Sequence, residues 1–93
     1  MANLPLSYQA ANISATTAVF QLEGGEYGVT YNAASWGTVT LEVLSNDATT
    51  WLIALTAFAA NGCTNGVLIE GTYRLLVSGA TGVYVNVSRI VRQ

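Results

Sequence analysis

A chain of 93 residues has room for one hydrophobic core and no second one. Hydrophobic residues make up 52% of it and charged residues only 9%, a composition that excludes disorder. Arg74, Arg89 and Arg92 are its only basic residues, against Glu23, Glu26, Glu42, Asp47 and Glu70, so no basic stripe can form and no direct nucleic-acid contact is expected.

The first seventeen residues mix Ser7, Gln9, Asn12, Ser14, Thr16 and Thr17 with small apolar residues and one proline, without glycine. They read as an extended N-terminal arm, residues 1–17, ahead of a β-sandwich domain, residues 18–93. Held by nothing, such an arm would fray, so it either pairs with its own sheet or reaches a neighbour. Met1-Ala2-Asn3-Leu4-Pro5 has neither the basic start nor the apolar run of a signal peptide, and synthesis in the cytoplasm is expected.

From Ala18 onward, short β-rich runs are broken by glycine or asparagine roughly every 8–12 residues, the spacing of sandwiches and small barrels. Tyr27, Val29 and Tyr31 alternate with Glu26, Gly28 and Thr30, and Val39, Leu41 and Val43 alternate with Thr38, Thr40 and Glu42. A period of two places the large side chains on one face of each strand. Trp36-Gly37 marks the connection between these strands, and Ser45-Asn46-Asp47-Ala48 is a turn by composition.

A strand beginning near Thr50 points Trp51, Ile53 and Leu55 one way and Leu52 and Ala54 the other, which predicts cover on both faces. The apolar stretch from Trp51 to Ala60 is interrupted by Thr56 and is about half of what a membrane helix requires, so no membrane span is expected. Asn61-Gly62 and Asn65-Gly66 bracket Cys63, and because Asn-Gly favours positive φ they predict a tight loop. Two final strands carry Tyr73, Leu75 and Val77, then Val83, Val85 and Val87, on their inner faces, joined by Ser78-Gly79-Ala80-Thr81-Gly82 as a hairpin. The whole reads as all-β: a small antiparallel β-sandwich, jelly-roll or Ig-like, of about 7–8 strands.

The two halves echo each other. Glu23-Gly24-Gly25-Glu26-Tyr27 has a counterpart in Glu70-Gly71-Thr72-Tyr73, each leading into a strand that is followed by alternate valines. Two readings stand: a duplicated unit, or the same turn chemistry used twice.

Catalytic chemistry finds few carriers here. No histidine exists to serve as a base or to activate Cys63, which reads as a semi-buried small residue unable to form an intramolecular disulfide. One cysteine without histidine cannot build a standard zinc site, and Asn46 with Asp47 falls short of a calcium cage. No enzyme activity, cofactor or metal is expected. Trp36, at a turn, and Tyr84, facing away from the valine row, are the aromatics placed for exposure, as a sugar-stacking platform or as interface anchors. So few charges suit a surface covered by neighbouring subunits, or a sandwich with a neutral polar exterior.

The succession Leu22-Glu23-Gly24-Gly25-Glu26-Tyr27, Trp36-Gly37-Thr38-Val39-Thr40-Leu41, Asp47 to Trp51, Glu70-Gly71-Thr72-Tyr73-Arg74-Leu75 and Val83-Tyr84-Val85-Asn86-Val87-Ser88-Arg89-Ile90 resembles small structural proteins encoded by tailed bacteriophages. The resemblance spans about residues 20–90 and consists of strand and turn words. It implies a virion component on the capsid surface, first a capsid decoration (cement) protein, then a head-fibre or tail part, with the major capsid protein and further copies of itself, as a homotrimer, for partners. Leu4, Tyr8 and Gln9 on the arm, Trp36 and Tyr84, and Arg89 and Arg92 near the C-terminus are then the interface candidates. The rival expectation is a small carbohydrate-binding module using Trp36 and Tyr84.

Overall fold

The computed structural model describes residues 7–90, and all the regular structure there is strand. Eight strands follow in order: β1 (Ser7–Ile13), β2 (Phe20–Leu22), β3 (Gly25–Asn32), β4 (Thr38–Leu44), β5 (Trp51–Ile53), β6 (Gly62–Leu68), β7 (Gly71–Ser78) and β8 (Val83–Arg89). They form two four-stranded antiparallel sheets, β1-β8-β3-β6 and β2-β7-β4-β5, the strand order of a jelly roll. The alternation read from the chain sets the core: Tyr27, Val29, Val39, Leu41, Val43, Tyr73, Leu75, Val83, Val85 and Val87 are all buried between the sheets.

Pairing is nested. β4 with β5, β3 with β6, β2 with β7 and β1 with β8 lie successively further out from the loop between Leu44 and Trp51, like one long hairpin bent over on itself. The bend leaves β3 beside β8 and β4 beside β7 as well. Every described strand pair therefore joins one of β1–β4 to one of β5–β8.

The echo between the halves is a repeat in register. Tyr27 and Tyr73 stand 46 positions apart, from 27 to 73, and the same step carries each partner of one onto the partner of the other. Tyr27 faces Arg89 and Gly66; Tyr73 faces Val43 and Phe20. Each tyrosine is fully buried and its hydroxyl donates to the carbonyl four residues back, Tyr27 to Glu23 and Tyr73 to Ile69. This is a tyrosine corner made twice. The two halves are thus structurally equivalent around these tyrosines, although neither β3 with β4 nor β7 with β8 is a hairpin.

Several expectations change. Of the two courses open to the N-terminal arm, residues 7–13 take pairing with the chain's own sheet, as the edge strand β1 beside β8, and the Thr16 and Thr17 hydroxyls accept from N–H groups of β7. Residues 1–6, with Leu4, and residues 91–93, with Arg92, lie outside the described residues. The tight loop expected around Cys63 is the straight strand β6: its glycines serve space, not turning, since Gly62 stands against the Tyr31 ring and a Cβ on Gly66 would fall 2.9 Å from Leu55 Cδ2. A Cβ on Gly62 would sit 3.2 Å from the Tyr31 ring. Cys63, on this outer strand, is exposed. β5 is an edge strand of three residues and is not covered on both faces, for Leu52 and Ile53 are exposed. Residues 79–82 are no hairpin, because β7 and β8 belong to different sheets and the segment arches from one to the other.

Candidate functional site

One group of unengaged polar side chains lies together on the outer face of the β1-β8-β3-β6 sheet. Register sets Gln9 beside Asn86, Asn86 beside Thr30 and Thr30 beside Cys63, with Asn32 next to Tyr84 in the adjoining row. Tyr84 faces away from the valine row, as its alternation dictates, and is 47% exposed. Between its ring and β1 lies a shallow groove of about 220 Å³, whose polar lining is Gln9, Thr30, Asn32, Tyr84 and Asn86. A register break between Ala10 and Ile13, with Asn12 at φ 54°, bends β1 along this groove.

No charge lines the groove, and the side chains of Gln9, Thr30, Asn32 and Tyr84 bond to no other side chain or backbone group among the described residues. Ser88 donates weakly to Asn86. Amides and hydroxyls offer donors and acceptors together, which suits a neutral polar partner such as a protein loop or a sugar hydroxyl array.

Gln9 and Tyr84 are thus the two interface candidates that the fold brings together. Thr30, Asn32 and Asn86 join them through cross-strand register, which one-dimensional alternation could not specify. Trp36 is elsewhere: its indole N–H donates to Asn61 Oδ1 at 2.8 Å and its ring meets Tyr31 edge-on, on the inner side of the same sheet. Trp36 and Tyr84 therefore make no common platform. Tyr8 is half-buried and stacked on Phe20, with centroids 3.7 Å apart, closing the β1/β2 edge of the sandwich. Arg89 pairs with Glu23 at 3.2 Å beside that edge, in room left by Gly25, whose Cβ would fall 2.7 Å from Arg89 Nε.

Two further carboxylates, Glu42 and Asp47, are held by structure. Glu42 is buried on the outer face of the other sheet, 2.7 Å from Arg74 Nε, and that guanidinium lies over the Trp51 ring at 4.3 Å. Asp47 accepts from the backbone N–H of Thr49 and Thr50 and from the Thr50 hydroxyl, so its oxygens close the loop rather than face a cation; these bonds hold its pKa down at about 2. None of the described grooves is lined by a carboxylate. No protein-family model matches the chain, and no curated protein matches it significantly in sequence.

Proposed function

We propose that the chain is a non-enzymatic virion structural protein, a decoration protein that binds and stabilises the assembled head of a tailed bacteriophage. The observation that carries the assembly reading is the chemistry of the sheet edges. β1, β2, β5 and β6 are the four edge strands, and none contains a charged residue or a proline. Proteins that stay apart guard such edges with lysine, proline or inward charges. Here the charges of the strands sit on the central β3, β4, β7 and β8. The phage setting rests on the resemblance in strand and turn words.

Such a protein acts by mass action: binding only the assembled shell at 100 times its dissociation constant would stabilise that shell by about 2.7 kcal/mol per site. Counting copies per particle by quantitative mass spectrometry of purified virions tests the reading. A decoration protein is present in hundreds of copies, a tail or head-fibre part in few, and absence from the particle removes the virion reading altogether.

The groove beside Tyr84 favours a second reading, a carbohydrate-binding module. It predicts glycan binding by the isolated domain that Tyr84→Ala abolishes and Trp36→Ala, away from the groove, leaves in place. A blank glycan array discards it.

A further inference from the structure

The outer faces of the two sheets can be compared row by row, because a step of 46 positions carries the β3/β8 pairing onto the β7/β4 pairing without a break in register. Asn32 with Tyr84 corresponds to Ser78 with Thr38, Thr30 with Asn86 to Leu76 with Thr40, and Gly28 with Ser88 to Arg74 with Glu42. On the second sheet these positions are closed: Thr40 and Glu42 are buried, and Glu42 is bonded to Arg74. On the first they carry an exposed ring, unengaged amides and, at Gly28, no side chain at all. The shared framework therefore requires none of these.

Gly28 is the most telling of these positions. It is not one of the glycines at positive φ, and a Cβ there would meet only Ile90, at 3.7 Å, an ordinary contact. Its counterpart holds the long side chain of Arg74. Neither turning nor packing asks for glycine here, and what the missing side chain leaves is a second groove of about 390 Å³, bordered by Gly28, Thr30, Cys63 and Asn65. Thr30 lines both this groove and the one beside Tyr84, so the two meet there and cross the sheet face as one trough. From Asn32 to Gly28 it runs about 14 Å, four residue steps along β3.

We infer that this trough binds a neutral oligosaccharide, with one sugar stacked on Tyr84 and the chain running past Thr30 over Gly28. The inference rests on the carbohydrate reading above and gives it a ligand class. Among the described residues no charged side chain lines either groove, so nothing there matches a phosphate, an acidic sugar or a cation. Amides and hydroxyls donate and accept together, as sugar hydroxyls do, and a tyrosine ring offers a flat apolar surface beside them. A protein partner would ask for more, because the core of an interface is built on several apolar anchors. Tyr84 is the trough's only large exposed apolar side chain, since Val29 and Val85 are buried in the core. The trough is longer than one sugar ring, which selects a chain over a single sugar.

Calorimetry of the intact chain against neutral gluco-, manno- and galacto-oligosaccharides, from mono- to tetrasaccharide, gives the first result. Affinity should rise at least about tenfold from mono- to trisaccharide, the yield of one or two further hydrogen bonds. Gly28→Thr, which puts a β-branched residue suited to a strand into the second groove, should bring the trisaccharide down to the level of the monosaccharide. Leu76→Thr, at the place on the other sheet that matches Thr30, should change neither affinity. Should Gly28→Thr disturb folding, the intact chain decides alone: on adding trisaccharide, its backbone NMR signals should shift at Thr30 and Asn65 as well as at Tyr84. Binding that does not grow with chain length, or that Gly28→Thr leaves as strong, or shifts confined to Tyr84, overturn the inference and leave the carbohydrate reading in place. Silence of every neutral sugar overturns both, and weaker attachment of Tyr84→Ala to the virion head would then make the occupant of the trough a protein.

Discussion

Tyr27 and Tyr73 each bury a ring and still satisfy a hydroxyl, by reaching back to a carbonyl at the turn before their own strand. The paired Glu-Gly and tyrosine words were legible in the chain. Their acceptors were not, because a carbonyl four residues back comes within reach only when the intervening turn doubles over. Burial raises the pKa of Tyr73 to about 12, with the nearby Tyr27 adding to it, and raises that of Tyr27 as well. Unfolding exposes both phenols, whose ordinary value is 10.0. Stability is therefore full below pH 10 and falls as pH rises from there through about 12, since the unfolded chain releases protons that the folded one keeps. Urea unfolding at stepped pH, with tyrosinate absorbance, should show the decline, and Tyr73→Phe should reduce it while costing about 1 kcal/mol at neutral pH. Asp47 has the opposite sign. With its pKa lowered from 3.8 to about 2, its contribution is present above pH 3.8 and lost as pH falls through about 2. Asp47→Asn should lower the thermal midpoint at pH 6 and flatten this part of the acid limb.

At the scale of the strand, alternation identified the inner faces of β3, β4, β7 and β8 residue by residue. It was silent on which sheet each strand joins, because a pleat reads the same whether the next strand lies beside it or across the core. Hence residues 78–82 looked like a hairpin. Asn65-Gly66 misled for a related reason: the dipeptide is free to turn, and what holds it extended is its ladder pairing with Gly28 and Tyr27 of β3, a tertiary fact. The outer-face groove was not legible as a groove: Gln9 and Tyr84 stood apart in the sequence reading, one on the arm and one beside Trp36, and register supplied both their meeting and their three neighbours. Gly37 shows how tightly one arch is packed, for a Cβ there would lie 2.1 Å from the Ser78 carbonyl oxygen and 2.7 Å from the Gly79 carbonyl carbon. Both are backbone atoms with no rotamer to relieve the overlap. Gly37→Ala should thus cost about 3 kcal/mol, the upper range of overpacking, measured as a lower urea midpoint at unchanged slope.

Across the whole molecule, the step of 46 positions carries β3 onto β7 and β4 nearly onto β8 with matching register, yet pairing runs only between halves. Sequence words hinted at the repeat but not at this interlocking, which follows from the bend of the nested hairpin. The apex of that hairpin is the loop from Ser45 to Thr50, closed by the Ser45 N–H to the Thr50 carbonyl, the Ala48 N–H to the Ser45 carbonyl and the Asp47 carboxylate. Its neighbours β4 and β5 form the pair of shortest sequence separation, and every further pair costs more chain closure. Folding should start there and close like a zipper. Asp47→Asn should then slow refolding, whereas Tyr8→Ala, in the outermost pair, should mainly speed unfolding; the two arms of a chevron plot measure both. During synthesis the same arrangement has a further effect. While only β1 to β4 have left the ribosome, they hold none of the partners they pair with, and β1 waits for β8, the farthest of them along the chain. At about 5–20 residues per second that leaves unpaired strands, the uncharged β1 and β2 among them, open for several seconds, a window in which two nascent chains on one message can pair with each other.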